Sequence, residues 1–251
     1  MERMLEATAL AEENHFWFRG LRRNARLLLE AALDGRRGGT IVDCGSGTGR
    51  NLDWLGQYGI VTGIERSAAG LRLGRPFRRR VVQGTVTQLP FRDASVDVVT
   101  SFDVLYCLDD DSERQAIREM WRVLKPGGIA LVSVAALDIL RGSHSTLTNE
   151  FRRYTPARLA ARLTGAGFSI ARMTFTHMTV FPLTLTARLI DQWSGRAHVP
   201  SEADLRVPPA PVNELLNAAM VVDAALLRLI NLPIGSSVMC VAQKRPRPAR
   251  G

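Results

Sequence analysis

The chain has 251 residues, 46% hydrophobic and 23% charged. That balance excludes a disordered or low-complexity protein and fits one large domain or one domain with an insertion. Lys and Arg outnumber Asp and Glu by 33 to 24, a net charge of +9 that suits a nucleic acid, an anionic substrate or an acidic surface. Part of the excess lies in RPFRRR (75–80) and in a Pro-rich basic tail (245–251), the kind of end that is ordinarily solvated. The sequence argues against nucleic acid, because no basic-aromatic stripe extends beyond 151–154.

Residues 2–34 read as helix, broken around the aromatic run HFWF (15–18), in a chain only 6% aromatic. The acidic start is not a signal peptide. TIVDCGSGTGRNLDWL (40–55) reads as strand, glycine loop and helix, and IVTGIERS (60–67) as a second strand. RRVVQG (79–84) is a short third strand and VDVVTSFDVLYCL (96–108) an apolar fourth. DSERQAIREMWRVL (111–124) is an amphipathic helix with Ser112 available to cap it. GIALVSVAAL (128–137) is the continuous apolar run of a buried parallel strand. After a polar loop, Thr155 and Pro156 open another helix, FSIARMTFT (168–176) reads as strand six and SSVMCVAQK (236–244) as strand seven. The segment 177–235 between them is a helical insertion. Its second helix is apolar almost all round, which suits a core, a substrate cap or a homodimer seam better than a membrane surface. No apolar run is long enough to predict a transmembrane segment. The alternation predicts an α/β fold, a doubly wound Rossmann-like sheet whose ligands bind beyond the carboxyl ends of the strands. Cys44, Cys107 and Cys240 form no pair or cluster, so buried thiols, a reducing cytoplasmic setting and no metal site are expected.

Gly45, Gly47 and Gly49 lie between a strand and a helix, where glycine permits a tight turn and a close approach of backbone to ligand. The pattern D-x-G-x-G-x-G differs from a dinucleotide fingerprint, since Arg50 occupies its third glycine position. Glu65 ends the second strand roughly 20 residues after Asp43, where a carboxylate accepts from ribose hydroxyls. Its alternative is a solvated strand-end acid.

With VDCGSGTG, GIERS, QGTVTQLPFRDASVDVVTSFDVL and REMWRVLKPGGIALVSV in order over residues 38–176, the chain resembles the class I S-adenosylmethionine-dependent methyltransferases. The resemblance implies seven strands with the last antiparallel, and S-adenosyl-L-methionine as cofactor. It implies that Gly45, Ser46, Gly47 and Gly49 line the cofactor's methionine and ribose, that Asp43 orients the loop and amino group, and that Glu65 holds the ribose. Thr85 and Val86 fall at the adenine positions, with Thr85 in place of the usual Asp, and Ser101 and Phe102 flank the transferable methyl. It divides a single domain, 1–251, into an N-terminal helical cap (1–37), a cofactor-binding core (38–176), the insertion (177–235), the final strand (236–244) and the tail (245–251). NEFRRYT (149–155), HFWFR (15–19) and LPIGSS (232–237) resemble a bacterial subgroup of these enzymes.

A sulfonium methyl needs alignment more than a base, so the family carries no universal catalytic residue. Candidate bases are His144, Asp103 and Tyr106, each with a plainer reading as solvated loop, cofactor contact or wall. His177 is a further candidate near the strand ends and a candidate substrate residue. Arg152 and Arg153 can grip a carboxylate or phosphate and Tyr154 can pack on a ring, or the segment is a solvated helix flank. In the aromatic run, Phe16 and Phe18 are read as core, with His15, Trp17 and Arg19 turned by strand-like alternation towards the pocket as lid and carboxylate anchor. The plainer option is that the whole run is core. The expected reaction methylates a small-molecule acceptor, bulky or anionic, with O, N and C all open. The alternatives are an RNA methyltransferase of the same fold and a non-catalytic binding protein that retains it.

Overall fold

Alternating apolar runs and glycine-marked turns form seven strands in one sheet: β1 (Gly39–Cys44), β2 (Gly59–Glu65), β3 (Val81–Gln83), β4 (Val96–Phe102), β5 (Leu124–Ala135), β6 (Phe168–Thr176) and β7 (Ser237–Lys244). The computed structural model describes residues 2–142, 145, 150–195 and 205–245, with side chains from Leu5 onward. The strand order is β3-β2-β1-β4-β5-β7-β6. β1 to β5 are parallel, and β7 runs antiparallel between β5 and β6. Because β7 opposes both neighbours, β6 points the same way as β1. The carboxyl end of β6 therefore shares an edge with those of β1 and β4, where ligands bind in such sheets.

Side-chain alternation divides the core between two faces. On one face Ile41, Val98, Ile129, Leu131, Met239 and Val241 meet helix α2 (Phe16–Leu33), α3 (Arg50–Leu55) and the end of α8 (Ala210–Leu227). On the other, Val42, Val99, Ala130, Val132 and Cys240 meet α5 (Asp110–Val123) and α6 (Pro156–Gly165). Leu28 and Leu29 of α2 are completely buried, each contributing roughly 1.5–3 kcal/mol of apolar burial. Helix α4 (Ala68–Gly74) follows β2, and α1 (Glu2–Ala11) packs on it.

Local chemistry moves several expected boundaries. The N-terminal break falls at Glu12–His15, ahead of the aromatics, so Phe16, Trp17 and Phe18 are the first turn of α2 rather than an extended piece. The His15 Nδ1 accepts from the Trp17 amide (3.2 Å). Asn213 of α8 accepts from the Phe16 amide and donates to the Asn14 carbonyl, each at 2.9 Å. This start depends on a residue almost 200 positions away, which local propensity does not reveal. Helix α5 is capped by Asp109, which accepts from the amides of Asp111 and Ser112, and not by Ser112. Strand β4 stops at Phe102, because Asp103 adopts φ +60° and a short 3-10 turn, Leu105–Cys107, follows.

The insertion holds α7 (Phe181–Trp193) and α8. By length and composition α8 is apolar enough to cross a bilayer, contrary to the expectation of no such segment. Its packed stripe nevertheless carries Asn213, Asn217, Met220, Asp223 and Leu227. Met220 lies against Gly20 of α2, where a Cβ would come within 3.0 Å of it.

Candidate active site

The glycine loop leaves the carboxyl end of β1 through three left-handed residues, Gly45 (φ +75°), Gly47 (φ +55°) and Gly49 (φ +76°). A Cβ on Gly45 would lie 2.3 Å from Val104 Cγ2, so this position needs glycine for space as well as for conformation. The amides of Gly45 and Ser46 donate to the Ile64 carbonyl, tying the loop to β2. Glu65 accepts from the Gly47 amide (2.9 Å) and the Ser67 amide (2.7 Å). The carboxylate is thus held by both neighbouring loops, with further lone pairs left for a ligand hydroxyl.

Asp43 is buried behind the loop. Its Oδ1 accepts from the Thr100 hydroxyl at 2.6 Å, while its Oδ2 has no hydrogen-bond partner. Burial pushes its carboxyl up to about 7, opposed by the Thr100 hydrogen bond and reinforced by Glu65. Ser46 Oγ and Ser101 Oγ are likewise buried without partners. Phe102 packs near Trp54, with ring centroids 6.2 Å apart. Thr85 bonds to the Thr87 hydroxyl (2.8 Å) in a short turn beside buried Val86. Helix α1 covers this loop. A Cβ on Gly47 would meet Leu5 at 3.6 Å, and the Thr48 hydroxyl donates to Glu12 (2.6 Å).

These residues suit an adenosyl amino acid. The unmatched Oδ2 of Asp43 faces a cation's requirement, the Glu65 carboxylate a diol's, and the glycine turn a close approach. The loop, Asp43, Glu65, Ser101 and Phe102 are brought together at the carboxyl ends of β1, β2 and β4, whereas Thr85 and Val86 lie just beyond β3.

Other candidates are placed differently. Arg19 pairs with Glu214 of α8, so it is not turned to the glycine loop as a carboxylate anchor. His15 is buried, caps α2 and stacks on Phe16 (4.6 Å), which removes it from the pocket. Arg152 and Tyr154 do not form a grip for an anion. Arg152 pairs with Asp110 (2.8 Å) and Glu113 (3.0 Å), and the Tyr154 hydroxyl donates to Glu113 (2.7 Å) with Tyr154 wholly buried. Arg153 is tied to Glu150 (2.7 Å) and the Ala136 carbonyl (3.2 Å). Arg152 and Tyr154 lock the segment after β5 onto α5, and Arg153 ties that segment to itself and to the end of β5. Tyr106 is buried, and burial drives its phenol well above the ordinary range. His144 lies outside the described residues.

Asp103 follows β4 with a left-handed backbone, and burial raises its carboxyl to about 7 against the pull of Arg153. Trp17 and His177 stack with centroids 4.0 Å apart and planes at 1°. His177 is fully buried, and burial lowers its pKa to about 4, opposed in part by the Trp17 backbone. Its Nδ1 is 3.2 Å from the Thr176 hydroxyl, and no aligned partner meets Nε2. The sequence reading missed Asn24 of α2, wholly buried with both amide atoms unpartnered, and Ser133 of β5, buried with an unpartnered hydroxyl. A polar Asn between Leu21 and Leu28 on an apolar stripe was the available signal. Among the described residues, no group of three His, Cys, Asp or Glu is arranged to hold a metal.

Residues 42–132 match the Methyltransferase domain family. The chain is 33% identical over 225 residues to a probable S-adenosylmethionine-dependent methyltransferase of Mycolicibacterium smegmatis, covering 87% of this chain and 81% of that protein. It is 31% identical over 158 residues to malonyl-[acyl-carrier protein] O-methyltransferase 1 of Coxiella burnetii, covering 62% of this chain and 52% of that one. Its fold is similar to that of Burkholderia thailandensis 1,6-didemethyltoxoflavin-N1-methyltransferase with bound 1,6-didemethyltoxoflavin and S-adenosylhomocysteine, at TM-score 0.54 and 19% identity over 89% of this chain and 78% of that one. The fold and carboxyl-edge glycine loop define a class I methyltransferase. The chain belongs to the S-adenosylmethionine-dependent methyltransferase family and is an enzyme of that class.

Proposed function

We propose that this enzyme binds S-adenosylmethionine in the glycine loop and methylates a small-molecule acceptor held between α2 and the carboxyl edge of the sheet. The observation that carries this reading is the buried, half-satisfied Asp43 carboxyl beside a loop of three left-handed glycines and the Glu65 carboxylate. Asp43 would meet the ammonium, Glu65 the ribose hydroxyls, Thr85 and Val86 the adenine edge, and Ser101 and Phe102 the region of the sulfonium. When bound, the cofactor supplies a methyl group already activated on sulfur, and the product is S-adenosylhomocysteine.

The chain's own residues then align the acceptor and exclude water. Helix α1 and the turn after it close over the loop through Leu5 and Glu12. Where the acceptor must lose a proton, Asp103 is the better base: it stands at the end of β4 and its carboxyl titrates near 7. His177, at about 4, is the wrong strength for that step near neutrality. A small acceptor is supported by the curated relatives, one of which is by its name a malonyl-[acyl-carrier protein] O-methyltransferase. The chain spans about half the length of that relative, so no acceptor is carried over from it.

Isothermal calorimetry with S-adenosylhomocysteine tests the reading. Saturable one-to-one binding that is lost in Gly47→Val is expected, and absence of binding at millimolar concentration would refute it. Binding to RNA with a steep dependence on salt would instead favour an RNA acceptor.

A further inference from the structure

Helix α8 distributes its side chains the wrong way round for a surface helix. Its buried stripe carries the polar Asn213, Asn217 and Asp223. Its solvent side carries Leu215 (71% exposed), Val222 (51%) and, in the turn just after the helix, Leu229 (82%). Ala218 and Ala225 complete that side and are exposed too.

The spacing is that of a coiled-coil seam. Leu215, Ala218, Val222, Ala225 and Leu229 alternate steps of three and four residues, the a and d positions of a heptad. A stripe that faces a globular core is wider, whereas a strict a and d stripe fits one facing helix. Glu214, Val221 and Arg228 then fall at successive g positions on one flank, and Val212, Ala219 and Leu226 at successive e positions on the other. The only charges bordering the seam are thus opposite in sign, at opposite ends, about four turns apart.

This pattern is complementary to itself when the second helix runs antiparallel. With a two-fold axis beside Val221, each large a residue meets a small d residue: Leu215 meets the partner's Ala225, and Val222 the partner's Ala218. The same register sets Val212 against the partner's Leu226 and Glu214 against the partner's Arg228. Glu214 already accepts from Arg19, and its carboxylate has lone pairs left for a second cation. A parallel pair would bring like charges to the same end. A lipid surface would call for a basic polar face, and α8 offers one acid and one base instead.

We propose that the exposed seam of α8 binds a second copy of this chain as an antiparallel, two-fold symmetric helix pair centred on Val221. This goes beyond the methyltransferase reading and does not depend on it. Because Asn213 of α8 caps α2, the pairing braces the start of α2 in both copies.

Sedimentation velocity of the full chain over a range of concentrations tests the pairing, and a reversible dimer is expected. Val222→Glu lies on an exposed face, so it should leave the melting temperature of dilute, monomeric protein unchanged. It should raise the dimer dissociation constant at least about tenfold. Arg228→Glu should weaken the dimer in the same direction, and by less at high salt. A short bis-maleimide reads the orientation: Val221→Cys should give a covalent dimer, while the parent and Leu229→Cys should not. A chain that stays monomeric at every concentration overturns the proposal, as does a dimer indifferent to Val222→Glu. Covalent dimer from Leu229→Cys but not from Val221→Cys overturns the antiparallel pair. Monomeric protein that floats with phosphatidylcholine–phosphatidylglycerol vesicles also overturns it, and lipid then covers the seam.

Discussion

Trp17 and His177 lie face to face, 4.0 Å between centroids and 1° from coplanar, joining the first turn of α2 to the end of β6. The imidazole is buried and titrates near 4, below the ordinary 6.5. The unfolded chain therefore takes up a proton at His177 between pH 6.5 and 4 that the folded protein refuses. Its penalty is absent above pH 6.5 and grows as pH falls to 4, reaching about 3 kcal/mol. His177→Asn, which tolerates the positive φ, should remove this dependence. Denaturant titrations at pH 7.5 and pH 4.5 should show the parent losing stability relative to the variant at the lower pH. A constant difference between them would mean that His177 is not held neutral.

Gly45 and Gly47 share a left-handed backbone but not their surroundings. A Cβ on Gly45 overlaps Val104 at 2.3 Å, while one on Gly47 makes only ordinary contact with Leu5 at 3.6 Å. Both Ala variants should lose about 1–2 kcal/mol to conformation. Gly45→Ala should lose about 1–3 kcal/mol more to overpacking. The added Val104→Ala should restore part of the Gly45→Ala loss and none of the Gly47→Ala loss, as read by melting temperature.

Arg152, Arg162 and Tyr154 converge on Glu113, which is wholly buried. Glu113→Ala leaves the buried Arg152 with only Asp110, and should destabilise the fold by about 3–5 kcal/mol. S-adenosylhomocysteine affinity of the folded fraction should be unchanged. Preserved stability with weakened ligand binding would return Arg152 and Tyr154 to the pocket.

The legible parts of this site are those whose requirement is local. The glycine loop announces itself because left-handed turns admit few residues, and Glu65 because its spacing after Asp43 follows from one strand–helix–strand unit. The seven strands show as apolar runs for the same reason. What stayed hidden depends on distant partners. Arg152 looked free because Glu113 is 39 residues away, on a helix. The HFWF run looked extended because part of its helix cap comes from Asn213, 197 residues from Phe16. Asn24 was passed over because an Asn on a helix reads as exposed until α8 and the sheet are seen to bury it.

Asp43 offers the most direct test of the proposed cofactor contact. Its folded pKa, about 7, is above the ordinary 3.8, so between these values the folded protein holds a proton that the unfolded chain has released. Its contribution to stability is full below pH 3.8 and is lost as pH rises through 7, a change of about 4 kcal/mol. Asn cannot ionise, so Asp43→Asn should gain stability relative to the parent as pH rises from 4.5 to 8. An ammonium beside Oδ2 favours the carboxylate and should expel that proton. At pH 6, calorimetry of S-adenosylhomocysteine in two buffers of different ionisation enthalpy should therefore show release of close to one proton by the parent. Asp43→Asn should show none from this group and bind more weakly by about tenfold or more. Equal apparent enthalpies for the parent in both buffers would place the ammonium elsewhere and remove Asp43 from the cofactor site.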